Sequence, residues 1–91
     1  MAGFSVSRSH SMDQDEVREA AEELARELSN QYGISYRWNG DVATFRGSGV
    51  DGSLSLEGDI ISVKVKLGFL AAAFEQSLLR AVNEYLDEYV S

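Results

Sequence analysis

Histidine occurs once among the 91 residues, at position 10, and it is the first candidate for acid–base chemistry. Arg8 and Ser9 precede it, so the three residues form a candidate polar patch just ahead of a segment with helical periodicity. In one interpretation His10 is a base or anion contact beside the helix N-terminus; in the other it is a junction residue that hydrogen-bonds locally. A general base needs a positioned partner, and none is evident in the sequence. We therefore expect no enzyme activity. A hypothesis of an enzyme that uses His10 and Arg8 ranks below the two binding hypotheses that the rest of the sequence supports.

Metal and phosphate sites have no complete pattern in the chain. Asp13, Asp15 and Glu16 lack the glycine turn and the spaced terminal acid of a calcium loop. Residues 47–52 are rich in glycine but lack the lysine and the strand-to-helix context of a phosphate loop. The chain has no cysteine, which excludes disulfides, thiolate nucleophiles and cysteine-based zinc sites. We expect neither a metal nor a cofactor.

The elements that would position any site are organised around residues 34–67, where apolar residues alternate with polar ones. Alternate side chains of a strand share one face. The positions predicted to face a core are Ile34, Tyr36, Trp38, Ala43, Phe45, Val50, Gly52, Leu54, Leu56, Ile61, Val63, Val65 and Leu67. Turn signals at residues 39–41, 47–49 and 58–59 divide the stretch into four strands. Such alternation favours an antiparallel sheet that is covered on one side only.

Two segments with helical periodicity flank these strands, over residues 12–32 and 71–90. For the first, Ser11 is the predicted N-cap, Gln14 completes a capping box, and Gly33 ends the helix. The second segment has the wider apolar stripe, so we expect it to be the main cover of the sheet.

A short leading strand around Phe4 and Val6 completes the order β-α-β-β-β-β-α. We predict a single α+β domain over residues 1–91, with two layers and both helices on one face of an antiparallel sheet. The order of elements resembles a reduced helix-grip fold, and a fold by itself does not fix a function.

The formal net charge of −7 is unevenly distributed. Residues 13–31 contain seven acids and two bases, residues 70–90 contain four acids and one base, and residues 34–67 contain four of each. An acidic protein repels nucleic-acid backbones, so we expect no DNA or RNA partner. We interpret the acidic helices as a solvated surface rather than as a site for a basic partner.

Membrane and export signals are absent from the sequence. No apolar run approaches the ~20 residues of a membrane span, and the first residues lack the basic region and apolar stretch of a signal peptide. We expect a cytoplasmic protein without a transmembrane segment. A homodimer is one way in which the open edges of a small sheet would be managed.

Apolar residues at the strand-to-helix junction are candidates for a contact surface. If Phe69 and Leu70 are exposed there, they form a candidate apolar contact patch with Tyr89 and Val90. The alternative is that these residues are scattered over the surface, where single exposed apolar side chains are normal.

A set of short motifs runs through nearly the whole chain. The motifs are Arg8-Ser9-His10-Ser11, Tyr32-Gly33, Tyr36-Arg37-Trp38 with Gly40-Asp41, Phe45, Gly49-Val50-Asp51-Gly52, and Leu67-Gly68 before the last helix. In this order and spacing the chain resembles the polyhydroxyalkanoic acid system proteins, small bacterial proteins named for genes near polyhydroxyalkanoate synthesis genes. The resemblance implies a role in storage-polymer metabolism or at the granule surface, with a granule or a granule protein as partner and no assigned enzyme activity.

Our leading hypothesis is accordingly a non-enzymatic accessory or interaction protein of the polyhydroxyalkanoate system, associated with the granule. The alternative is a small apolar-ligand binding protein of helix-grip type, which holds an acyl chain between the sheet and the last helix. The small residues Ala43, Gly52 and Ala81 would leave room for such a ligand.

Overall fold

The computed structural model describes residues 2–90 as one antiparallel sheet and two helices. The strands are β1 (Ala2–Ser9), β2 (Ser35–Asn39), β3 (Val42–Gly47), β4 (Val50–Glu57) and β5 (Ile60–Leu67). The helices are α1 (Gln14–Tyr32) and α2 (Glu75–Tyr89), and a 3₁₀ turn (Ala71–Phe74) leads directly into α2. The predicted α+β class and order of elements are confirmed.

The sheet is a meander of four strands to which the leading strand returns. Its strand order is β1-β5-β4-β3-β2, and every neighbouring pair is antiparallel. The edges of the sheet are therefore β1 and β2. The register of β1 sets Phe4 opposite Val65 and Val6 opposite Val63, so the leading strand extends the apolar face of β5.

The predicted alternation matches the burial of the strands. Of the inward positions predicted above, Tyr36, Trp38 and Gly52 are half-buried and all the others are buried. The residues between them include Arg37, Thr44 and Lys64, which are exposed. One face of the sheet is thus covered by the helices, and we call the other the open face.

Tight turns join the four meander strands. At the second turn both central residues, Ser48 and Gly49, take positive φ angles of 54° and 79°. At the first turn the central residues are Gly40 and Asp41, with Gly40 at φ 64°, whereas Asn39 ends β2. The hairpin is as predicted, and Gly40 adopts the left-handed conformation that closes it.

The N-terminus of α1 lies two residues later than predicted, and Ser11 is not its cap. Asp13 is the N-cap: its carboxylate accepts from the Glu16 N–H at 3.0 Å, and the Glu16 carboxylate accepts from the Asp13 N–H at 3.2 Å. This reciprocal capping box takes the place of the predicted pair of Ser11 and Gln14. The Asp13 carboxylate also brings a negative charge to the positive end of the helix dipole, which favours Asp13 as the cap. Gly33 ends the helix in the left-handed conformation, as predicted.

The two helices share the cover of the sheet. The buried residues of α1 are Val17, Ala21, Leu24, Ala25 and Leu28, and those of α2 are Leu78, Val82 and Leu86. The expectation that the second helix would be the main cover is therefore wrong. The first turn of the second helical segment is 3₁₀, and Phe74 and Tyr89, at the two ends of the apolar stripe of that segment, are exposed. α1 packs against β2 and β4, and α2 packs against β1 and α1.

Candidate functional site

The three residues of the predicted polar patch point to different parts of the molecule. The Arg8 side chain lies on the covered side of the sheet, where its guanidinium donates to the Asp87 carboxylate and, at 3.1 Å, to the Asn83 amide oxygen of α2. Ser9 is exposed on the open face. His10 is buried, so the structure does not bring the three side chains together.

His10 makes contacts typical of a junction residue. Its backbone N–H donates to the Asp59 carbonyl at 2.8 Å, which continues the pairing of β1 with β5. Its Nδ1 accepts from the Met12 N–H at 3.2 Å, which fixes the chain ahead of α1. Nε2 is buried without a hydrogen-bond partner among the described residues. These contacts orient the segment between β1 and α1.

Three apolar side chains protrude where the chain passes from β5 to α2. Phe69 is 94% exposed, Leu70 is 85% exposed and Phe74 is 55% exposed. They lie within six consecutive residues, 69–74, and we call them the apolar corner. Scattered exposed apolar residues are normal, but a group of large ones is typical of an interaction surface.

The backbone around Gly68 fixes the apolar corner. The Gly68 N–H donates to the Gly49 carbonyl at 2.8 Å, and the Gly68 carbonyl accepts from the N–H groups of Ala71 and Ala72 at 3.1 and 3.0 Å. Ala71 is buried close to Gly49, where a Cβ added to the glycine would lie 3.2 Å from the Ala71 Cβ. The chain is thus anchored on both sides of Phe69, and the two side chains between these anchors are directed into solvent.

A recess of about 430 Å³ adjoins the apolar corner. Its lining includes Phe74 and Leu78 from the second helical segment, Val50 from β4, and Tyr32 at the end of α1. The Tyr32 hydroxyl lies 3.2 Å from the Ser77 hydroxyl, so α1 and α2 are linked at the rim of the recess. In the alternative hypothesis from the sequence, an acyl chain lies between the sheet and the last helix. This recess is the part of that region that has room for a small apolar group.

Tyr89 and Val90 do not belong to the apolar corner. They lie at the C-terminal end of α2, and the 15 residues of that helix separate them from Phe74 by about 22 Å. The Tyr89 ring packs on Tyr85 with centroids 4.5 Å apart, and Val90 packs against the core. The predicted contact patch is therefore two separate groups, of which Phe69 and Leu70 form the more exposed one.

Glu22 lies at the centre of a polar cluster that the sequence analysis missed. Its carboxylate accepts from the Tyr36 hydroxyl at 2.5 Å and from the Trp38 indole N–H at 2.7 Å. Arg18 stacks on the Trp38 ring, 3.9 Å from the centroid, and Arg26 lies 3.6 Å from the Glu22 carboxylate. The signal was present: Arg18, Glu22 and Arg26 are spaced by four residues, and Tyr36 and Trp38 share a strand face.

Electrostatics within this cluster favour the ionised carboxylate. Partial burial raises the pKa of Glu22, but the hydrogen bonds from Tyr36 and Trp38 and the charges of Arg26 and Arg18 outweigh it, so the pKa is lowered. The hydrogen bond to Glu22, together with burial, raises the pKa of Tyr36. Both shifts keep a neutral phenol donating to an anion, an arrangement that joins α1 to β2.

The described residues contain neither a cluster of metal-binding side chains nor a membrane-spanning helix. Within residues 2–90 no three side chains of the metal-binding types are placed to hold an ion together. Neither helix among these residues combines the length and the apolar character needed to cross a membrane.

Comparison with known proteins gives one match. A family model described as "Putative polyhydroxyalkanoic acid system protein" matches residues 4–90. The match extends from β1 to the end of α2, so the apolar corner and the Glu22 cluster both fall inside it. No curated protein and no solved structure matches the chain.

Proposed function

Because the chain belongs to the family of polyhydroxyalkanoic acid system proteins, we propose that it is a non-enzymatic accessory protein that docks on the polyhydroxyalkanoate granule. The observation that carries the proposal is the exposure of Phe69 and Leu70, at 94% and 85%. The chain works in the cytoplasm, at the boundary between the storage polymer and water. Its partner is the granule surface itself.

The apolar corner supports this role energetically. Burying a large apolar side chain is worth about 1.5–3 kcal/mol, so three such side chains entering an apolar surface give several kcal/mol before the cost of immobilisation. A free energy of a few kcal/mol corresponds to a reversible attachment. The acidic helices stay hydrated, and they oppose adsorption of the rest of the molecule.

The residues first considered for catalysis have structural contacts that support a non-enzymatic role. Arg8 joins β1 to α2 through Asp87 and Asn83, and His10 fixes the segment before α1. Neither residue reaches the apolar corner. The register partner of Arg8 lies near the start of β5, whereas the apolar corner follows the end of that strand. A docking surface without attached acid–base groups fits an accessory protein.

A sedimentation assay tests the proposal. Purified protein is mixed with polyhydroxyalkanoate granules stripped of their native proteins, and the fraction in the pellet is measured. The parent protein should sediment with the granules, and the double variant Phe69→Ser with Leu70→Ser should stay in the supernatant. The matched control is Val42→Ser with Ile60→Ser, which removes two exposed apolar side chains from the open face and should bind like the parent. Equal binding by the two double variants would contradict the proposal.

The recess beside the corner favours a second candidate, the binding of a small apolar ligand such as an acyl group. Its volume of about 430 Å³ lies within the range of ligand pockets. The small residues predicted to make room do not all do so: a Cβ on Gly52 would lie 2.6 Å from the Lys64 carbonyl oxygen, and Ala43 is completely buried. Ala81 lines a separate recess of about 180 Å³ between the helices. A rise in melting temperature with 3-hydroxyacyl compounds, abolished by Ser77→Trp at the recess, would favour this candidate.

A further inference from the structure

The two edges of the sheet differ in how far other parts of the chain cover them. At the β1 edge, α2 packs alongside, and the Gly3 N–H donates to the Glu75 carboxylate at 3.1 Å. At the other edge, β2 pairs with β3 on one side and has no second strand among residues 2–90. An exposed strand edge is a template for pairing with another chain, and proteins usually cover or blunt it.

The hydrogen-bond pattern identifies the free backbone groups of β2. The Leu56 N–H donates to the Asp41 carbonyl. Because the backbone groups of successive residues in an antiparallel strand point to opposite sides, the N–H and C=O groups of the odd-numbered β3 residues bond to β4, and those of the even-numbered residues bond to β2. Their partners in β2 are the odd-numbered residues, among them Arg37. The N–H and C=O groups of Tyr36 and Trp38 consequently point away from the sheet, toward an additional strand.

Four of the six arginines gather along this edge, in a protein with a net charge of −7. Arg37 and Arg46 lie on the open face of β2 and β3, and Arg18 and Arg26 lie on the side of α1 that packs over β2. Three of them have acidic neighbours: Arg18 with Asp41 at 3.8 Å, Arg26 with Glu22 and Glu23, and Arg46 with Asp51 at 3.4 Å.

Arg37 differs from the other three. It is exposed at the middle of the edge strand and has no ion-pair partner within residues 2–90. A groove of about 700 Å³ runs beside it, lined by all five residues of β2 and by Thr44 and Arg46 of β3. The groove therefore combines unpaired backbone groups with an unpaired guanidinium.

We propose that the β2 edge binds an extended acidic segment of a partner protein, which adds a sixth strand to the sheet. Main-chain hydrogen bonds to Tyr36 and Trp38 would hold the segment, and a carboxylate opposite Arg37 would select it. A second copy of this chain fits poorly, because the fully overlapping antiparallel register sets Arg37 directly opposite the Arg37 of the copy. Charge complementarity thus favours an acidic segment over a homodimer.

This inference is independent of the granule proposal. The β2 edge and β5, after which the apolar corner lies, are separated by β3 and β4 in the sheet. An accessory protein with both surfaces would hold an acidic protein segment at the granule, but either surface can be present without the other.

Trp38 provides the readout, since it is the only tryptophan and lies in β2. The probe is a blocked peptide of alternating valine and glutamate, titrated into the full chain while tryptophan emission is recorded. We expect a saturable change in emission, and no such change with a peptide of alternating valine and lysine. A glutamate peptide N-methylated at its valine amides should bind much more weakly, because with glutamate opposite Arg37 the valines lie opposite Tyr36 and Trp38 and supply the donors that pair with the strand edge.

Two variants assign the contact. Arg37→Glu should weaken binding about tenfold, because the reversal replaces an attraction by a repulsion. Arg80→Glu makes the same charge change at an exposed position of α2 and should leave the affinity unchanged. The proposal is overturned if the parent does not bind the glutamate peptide, if Arg37→Glu binds it as well as the parent, or if the N-methylated peptide binds equally. It is also overturned if the free protein sediments as a dimer with the Tyr36 and Trp38 amides protected from exchange.

Discussion

Glu22 shows how a single charged side chain can join two layers of a small protein. It receives hydrogen bonds from Tyr36 and Trp38 of β2 and an ion pair from Arg26 of its own helix. Both aromatic side chains are half-buried, so their polar ends would lose hydrogen-bonding capacity at the helix–sheet boundary without this carboxylate. These contacts hold β2, an edge strand of the described sheet, to the helical layer.

The Glu22→Gln variant tests this contribution at the level of the residue. The folded-state pKa of Glu22 is lowered from its usual 4.5, so the stabilisation is complete above about pH 4.5 and is lost as the pH falls through the folded-state value. We expect the variant to be less stable than the parent by about 1 kcal/mol near neutral pH, with the difference shrinking in acid. Urea denaturation at a series of pH values measures it.

The control for that experiment is Glu19→Gln, which neutralises an exposed carboxylate on the same helix. Its stability profile should run parallel to that of the parent across the acidic range. Identical profiles for the parent and Glu22→Gln would mean that the carboxylate does not stabilise the fold.

At the scale of the elements, the strands and the C-terminal end of α1 followed from the sequence, whereas the N-terminal starts of the two helices did not. Alternation specifies a strand face directly, and for this reason the inward positions from Ile34 to Leu67 were predictable. The choice between Ser11 and Asp13 as N-cap depends on where the chain leaves β1, which tertiary contacts of His10 decide. The exposure of Phe74 was not predictable either, because the 3₁₀ turn rotates it away from the stripe that the periodicity of α2 predicts.

The capping box at the start of α1 has a direct test. Asp13→Ala removes the acceptor for the Glu16 N–H and a negative charge at the positive end of the helix. We expect a loss of about 1 kcal/mol of unfolding free energy in chemical denaturation. Asp13→Asn keeps a capping oxygen and should recover most of the loss; an alanine variant as stable as the parent would contradict the assignment of Asp13.

The close pairing of β4 and β5 at Gly52 also has a test. A Cβ on this residue would lie 2.6 Å from the Lys64 carbonyl oxygen, a backbone atom that can move only with its strand. Gly52→Ala should therefore destabilise the protein by about 1–3 kcal/mol, measured by thermal unfolding, whereas the neighbouring Ser53→Ala should have little effect. A neutral Gly52→Ala would mean that there is room at this position, as a ligand-binding core requires.

For the whole molecule, the distribution of charge and apolar surface supports the proposed attachment. The eleven acids within residues 13–31 and 70–90 lie in or next to the two helices, whereas the open face carries the lysines Lys64 and Lys66. Phe69 and Leu70 protrude from one end of this body, so contact with an apolar surface need not bury the charged helices. An attachment of this kind depends on apolar burial, and we expect granule binding to persist in about 1 M salt, where exposed charges are screened.

The orientation of the protein on the granule tests the central claim most directly. The chain has no cysteine, so Ala73→Cys and Tyr89→Cys each give one labelling site, at opposite ends of the second helical segment, and both variants keep the three side chains of the apolar corner. An environment-sensitive dye is attached to each variant, and its emission is recorded as granules are added. We expect a blue shift for the dye at position 73 and none at position 89. A shift at position 89 alone, an equal shift at both positions, or no shift at either would contradict docking through the apolar corner.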